Sequence, residues 1–103
     1  MVADDETAIA ITVADPFARH LMAQYLERRA QDIEIISTAL AESDFDAIVL
    51  IGHKLFGSGS AYGLDEVTRL GGQLEGAAEA RDSAKIGTLL GELEAYVNQL
   101  KLS

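Results

Sequence analysis

The sequence predicts an all-α fold, an up-and-down antiparallel four-helix bundle carrying an extended N-terminal arm. Three observations point there. Apolar residues recur at steps of three and four in four successive stripes. The only proline is Pro16, so nothing beyond it forbids helix. The stripes are separated by a few residues each, which makes sequence neighbours run antiparallel. A chain of 103 residues suits one small domain with a single core, here the bundle over residues 15–103 behind an arm of residues 1–14.

The arm opens on the acidic Ala3-Asp4-Asp5-Glu6, read as mobile, and continues into the short alternation Ile9-Ala10-Ile11-Thr12-Val13, read as extended. Asp15-Pro16 marks the first helix start: Asp caps, and Pro occupies a first-turn position whose N–H would have no partner anyway. Phe17, Leu21, Tyr25, Arg29, Ile33, Ile36 and Leu40 then form a stripe to about Glu42, with a bend expected near Arg28-Arg29. Ser43 and Asp44 offer the second cap. Phe45, Ile48, Gly52, Leu55, Gly59 and Tyr62 follow on one face, with Gly63 expected to end that helix. Leu64, Val67, Leu70, Leu74 and Ala77 start a third stripe that stops near Arg81. Asp82-Ser83 cap the last helix, whose stripe runs through Ile86, Leu89 or Leu90, Leu93, and Tyr96 or Val97 to Leu100.

One segment admits another reading. Ala47-Ile48-Val49-Leu50-Ile51-Gly52 is apolar, partly β-branched and followed by glycines, so it also fits a buried strand entering a phosphate-binding loop. Gly57, Gly59 and Gly63 match neither the dinucleotide nor the P-loop spacing, and too few strand candidates exist to build a sheet around it.

Composition excludes several function classes. With no cysteine and two histidines far apart, no disulfide, thiolate or histidine metal site is expected, and no metal or cofactor is assigned. A net charge of −9 repels nucleic-acid phosphates and anionic lipid, leaving proteins as the expected partners. No apolar run approaches a membrane span and no secretory pattern is present, so a cytoplasmic protein is expected.

Chemistry points to His53, because a histidine can act as base, ligand or phosphoryl acceptor near neutral pH. At about 100° per residue it lies roughly 130° from the centre of its helix's apolar face and faces solvent. Val49, Leu50 and Phe56 rim it, Gly57 one turn on removes a side chain that would crowd the ring, and Ser60 follows two turns on. Exposed apolar residues of this kind mark protein contacts, which makes Val49, Leu50 and Phe56 docking candidates. Gly52, Gly59 and Gly71 instead suit close approach between packed helices. His20 has no comparable surround and is read as structural or solvated.

The run His53-Lys54-Leu55-Phe56-Gly57-Ser58, with Gly63 beyond it, resembles the motif of histidine-containing phosphotransfer (HPt) domains: His, any residue, Leu, Lys or Arg, Gly, then Ser or Thr. The resemblance extends over about Ile11 to Leu100, including Asp15-Pro16, Arg28-Arg29, Asp44-Phe45, Leu70-Gly71, Leu74-Glu75 and Ala77-Ala78. It implies a four-helix bundle that takes a phosphoryl group on His53 from a receiver-domain aspartyl phosphate and passes it to another receiver. It also implies no ATP site, with Mg²⁺ and a lysine supplied by the receiver and a histidine or hybrid kinase among the partners.

Carried over, His53 is the acceptor and Gly57 the clearance residue, with Lys54 and Ser60 as support near the phosphoryl group. The departure is Phe56, where the family carries a cation that would neutralise the moving group. The alternative is a degenerate bundle that binds a receiver or kinase through Val49, Leu50 and Phe56 without carrying phosphate.

Overall fold

The computed structural model describes residues 9–102 and is a bundle of four helices. They are α1 (Pro16–Ala41), α2 (Phe45–Ser58), α3 (Asp65–Glu79) and α4 (Ser83–Gln99). Each helix packs against the next in sequence and α4 returns to α1, which closes the ring. No described helix is long and apolar enough to cross a membrane.

Three of the four helix starts follow from a capping aspartate, whereas α3 starts after Leu64 with no side-chain cap. Asp15 accepts a hydrogen bond from the Ala18 N–H (2.9 Å), Asp44 from Ala47 (3.2 Å) and Asp82 from Lys85 (3.1 Å). The α1–α2 and α3–α4 connections are built alike. One residue in the left-handed region, Ser43 (φ 57°) or Arg81 (φ 55°), reverses the chain, and the Asp that follows caps the next helix.

The core is formed by Ile36, Ile48, Leu55, Val67, Leu70, Leu74, Ile86 and Leu93, all fully buried. These are the residues of the expected stripes. The first stripe is corrected at its start: Phe17 is 70% exposed and Leu21 38%, and the buried positions there are Met22 and Tyr25. Leu21 lines a shallow apolar cavity with Val13, Met22, Ala61 and Tyr62, so the first turns of α1 face the arm and the α2–α3 connection. The helix continues unbroken through Arg28-Arg29.

The helix carrying His53 ends at Ser58, earlier than expected. A 3₁₀ turn, Ser60–Tyr62, follows, and Gly63 (φ 74°) ends that turn instead of α2. The cause lies at Gly59, where a Cβ would sit 2.5 Å from the Thr68 backbone N. Thr68 Oγ1 accepts the Ser60 N–H at 2.8 Å, drawing the chain off the helix and onto α3.

The described part of the arm contains a short strand, and that strand has a partner. Ile9–Ile11 (β1) pairs in parallel with Leu100–Leu102 (β2), in register Ile9 with Leu100 and Ile11 with Leu102. The last helix therefore stops at Gln99, and Leu100 begins a strand. The acidic start of the arm lies outside the described residues.

The glycines of α4 have no packing reason within the bundle, since a Cβ on Gly87 or Gly91 would meet no heavy atom within 4 Å. Gly87→Ala and Gly91→Ala are each expected to raise stability by about 1 kcal/mol through helix propensity. Thermal denaturation followed by circular dichroism checks this.

Candidate functional site

His53 stands on the outer crest of α2 with its side chain 71% exposed. Its helix positions the ring by angle: Phe56 and Val49 lie roughly 60° and 40° to one side, Gly57, Leu50 and Lys54 roughly 40°, 60° and 100° to the other. The first side borders α3 and the second borders α1. Leu50 is 64% exposed and Phe56 52%, whereas Val49 is half-buried against the core. A Cβ at Gly57 would meet no heavy atom within 4 Å, so the approach to the ring is open.

The α2–α3 seam brings the two helices close enough for their side chains to cooperate. A Cβ on Gly52 would lie 2.7 Å from the Glu75 backbone N and 2.8 Å from the Gly71 carbonyl oxygen. One on Gly71 would lie 2.5 Å from the Phe56 backbone N. Bare backbone on both sides removes the spacing that side chains impose, which is the close approach expected for Gly52, Gly59 and Gly71. Phe56 uses the same device at its tip, its ring lying over Gly72, where a Cβ would touch Cδ1 at 3.0 Å.

That seam delivers Glu75 to His53. The Glu75 carboxylate is 3.2 Å (Oε2) and 3.4 Å (Oε1) from His53 Nδ1. A carboxylate can only accept, so this contact selects the tautomer with the proton on Nδ1 and the lone pair on Nε2. Nε2 has no hydrogen-bond partner among the described residues. The ring leans toward α3, one nitrogen held and the other presented outward.

On the α1 side, Tyr25 ties the structure together. Its ring stacks on Tyr62 (centroids 4.0 Å apart), its hydroxyl shares a 2.9 Å hydrogen bond with Ser58, and the Arg29 guanidinium lies 4.1 Å over its face. Lys54 lines a groove here with Arg28, Arg29 and Ser58, turned away from the carboxylate that holds the ring. Ser60, expected two turns along the same helix, is instead in the 3₁₀ turn, its hydroxyl 3.2 Å from Thr68 Oγ1. His53, Gly57, Val49, Leu50 and Phe56 thus share one surface, with Lys54 at its α1 edge and Ser60 beyond its end.

Sequence reasoning missed Glu75 as a partner of the histidine. Its sequence signals are its place in the third stripe beside Leu74, on the rim of the buried face, and the Leu74-Glu75 pair within the family resemblance, neither of which names the histidine as its partner. No cluster of three or more His, Cys, Asp or Glu able to hold a metal occurs among the described residues.

Residues 20–102 match the family model described as Hpt domain. No curated protein and no solved structure shows a match. Four helices in a closed ring, an exposed histidine on the second and a family match over most of the sequence agree: the chain belongs to the Hpt-domain family, phosphocarriers that work with receiver and kinase components of phosphorelays and do not use ATP.

Proposed function

We propose that His53 Nε2 accepts a phosphoryl group from the aspartyl phosphate of a receiver domain and returns it to the aspartate of another. The observation that carries this reading is the pairing of an exposed, unpartnered Nε2 with an Nδ1 held by Glu75. In the forward step the Nε2 lone pair attacks phosphorus, the Nε2–P bond forms as the acyl P–O bond breaks, and the receiver's aspartate leaves as carboxylate. The proton stays on Nδ1, so the ring becomes a phosphorylated imidazolium whose positive charge faces the Glu75 carboxylate. Return transfer reverses each bond change. Mg²⁺ and the charge-neutralising lysine belong to the receiver.

Leu50 and Phe56 form the docking surface, with Val49 beneath them. They are large, apolar and exposed beside the reacting atom, where a partner excludes water on contact. Gly57 leaves space for the partner's loops. Incubating the protein with a panel of phosphorylated receivers tests the reading: label passes to the protein from at least one and on to a second. Binding without transfer by every receiver would favour an interaction module instead.

Phe56 leaves the phosphoryl group without a cation one turn along the helix. Restoring one by Phe56→Lys adds about 0.7 kcal/mol of attraction at 6 Å even under water-like screening, roughly threefold in the lifetime of the phosphohistidine. Chase of label from the purified phosphoprotein measures this, and an unchanged or shorter lifetime contradicts the charge argument.

A further inference from the structure

The chain carries 17 acidic and 8 basic side chains, yet three of the basic ones meet in one groove. Arg28 and Arg29 of α1 and Lys54 of α2 line a depression of about 250 Å³ that ends at Ser58 and Tyr25. Arg29 is already engaged: its Nε lies 3.0 Å from Asp32, its guanidinium covers Tyr25, and only 11% of its side chain is exposed. Arg28 and Lys54 are exposed and have no ion-pair partner among the described residues. The nearby anion is Asp32. Burial raises its carboxyl above the ordinary value, against the opposing pull of Arg29, Lys54 and Arg28. Three cations against one half-buried carboxyl leave the groove positive on an otherwise negative protein.

Its position decides what it serves. Lys54 follows His53 directly, and Leu50 lies between them on the helix surface, so the groove continues the docking face toward α1. The imidazole leans the other way, toward Glu75 on α3. The groove therefore flanks the reacting nitrogen and does not enclose it.

We infer that Arg28 and Lys54 are a specificity contact for an acidic edge of the receiver domain, setting its orientation over His53. This rests on the phosphocarrier reading and names the partner's chemistry. A short carboxylate-bearing edge fits the local charge, whereas an extended polyanion such as nucleic acid would also cover surface carrying the net −9.

The test compares two phosphodonors at 0.15 M salt, where a screening length of about 8 Å suppresses the distant negative charge but not contacts in the groove. One donor is the phosphorylated receiver that transfers fastest in the panel. The other is phosphoramidate, a small donor with no acidic edge. The transfer rate constant from the receiver divided by that from phosphoramidate is expected to fall about tenfold in Arg28→Glu and to recover in Arg28→Lys. The quotient cancels any loss of folded protein. A quotient for Arg28→Glu within about twofold of wild type overturns the inference while leaving the carrier function intact. If wild type takes label from phosphoramidate but from no receiver, the carrier reading falls and this contact with it.

Discussion

Gly71→Ala is expected to destabilise the bundle even though alanine is the better helix former. The added carbon would lie 2.5 Å from the Phe56 backbone N, 2.6 Å from Leu55 Cβ and 2.8 Å from the Gly52 carbonyl oxygen. Two of these three atoms are backbone, so no rotamer change relieves them and α2 must move off α3. Overpacking of this kind costs about 1–3 kcal/mol, and two helices forced apart fall at or above the upper end. The helix-propensity gain of about 1 kcal/mol offsets only part. The net loss of about 2 kcal/mol corresponds to a fall of roughly 10 °C in Tm for a domain of this size. An unchanged or higher Tm would contradict the packing described at the seam. The α4 glycines are the internal control, since the same substitution there meets open space and shifts Tm upward.

His53→Gln is expected to abolish acquisition of label from every phosphorylated receiver. Glutamine keeps a polar, hydrogen-bonding side chain on α2 but has no basic nitrogen lone pair to attack phosphorus. Because His53 is exposed and only its Nδ1 is bonded, the fold should be unaffected. The companion change Glu75→Ala leaves the nucleophile in place and removes the group that selects its tautomer and balances the phosphoimidazolium. A hydrogen bond to a charged group contributes about 1.5–3 kcal/mol, and with both side chains partly solvated the lower figure applies, roughly a tenfold slower transfer. Rates in single-turnover mixing separate the two variants: zero amplitude for His53→Gln, full amplitude at reduced rate for Glu75→Ala.

Much of this architecture is legible in the sequence because it is written locally. Asp15, Asp44 and Asp82 announce their helices, and the buried Ile48, Leu55, Leu70, Leu74, Ile86 and Leu93 repeat at helical spacing. The same periodicity turns His53 outward. What it cannot carry is the identity of a neighbour on another helix. Glu75 lies 22 positions from His53, and its carboxylate reaches Nδ1 only because Gly52 and Gly71 let the helices close.

Phe17 and Leu21 keep the helical period but stay outside the core, 70% and 38% exposed. The early end of α2 depends on Thr68 accepting the Ser60 N–H, a contact set by the packing of α3. The β1–β2 pair joins two three-residue segments from the two ends of the described region, each too short to signal a strand partner. Arg28 and Lys54 are plain charges in the sequence and become a groove only when α1 and α2 lie side by side.

The central claim is that the phosphoryl group resides on His53 and arrives from a receiver. It is tested most directly by loading the protein from a phosphorylated receiver and locating the phosphate by peptide mass spectrometry, with ³¹P–¹H correlation to identify the ring nitrogen. The prediction is a single acid-labile phosphate on His53 Nε2, absent from His53→Gln and from His20. Phosphate on another residue, on His53 Nδ1, or retained in His53→Gln would contradict the account.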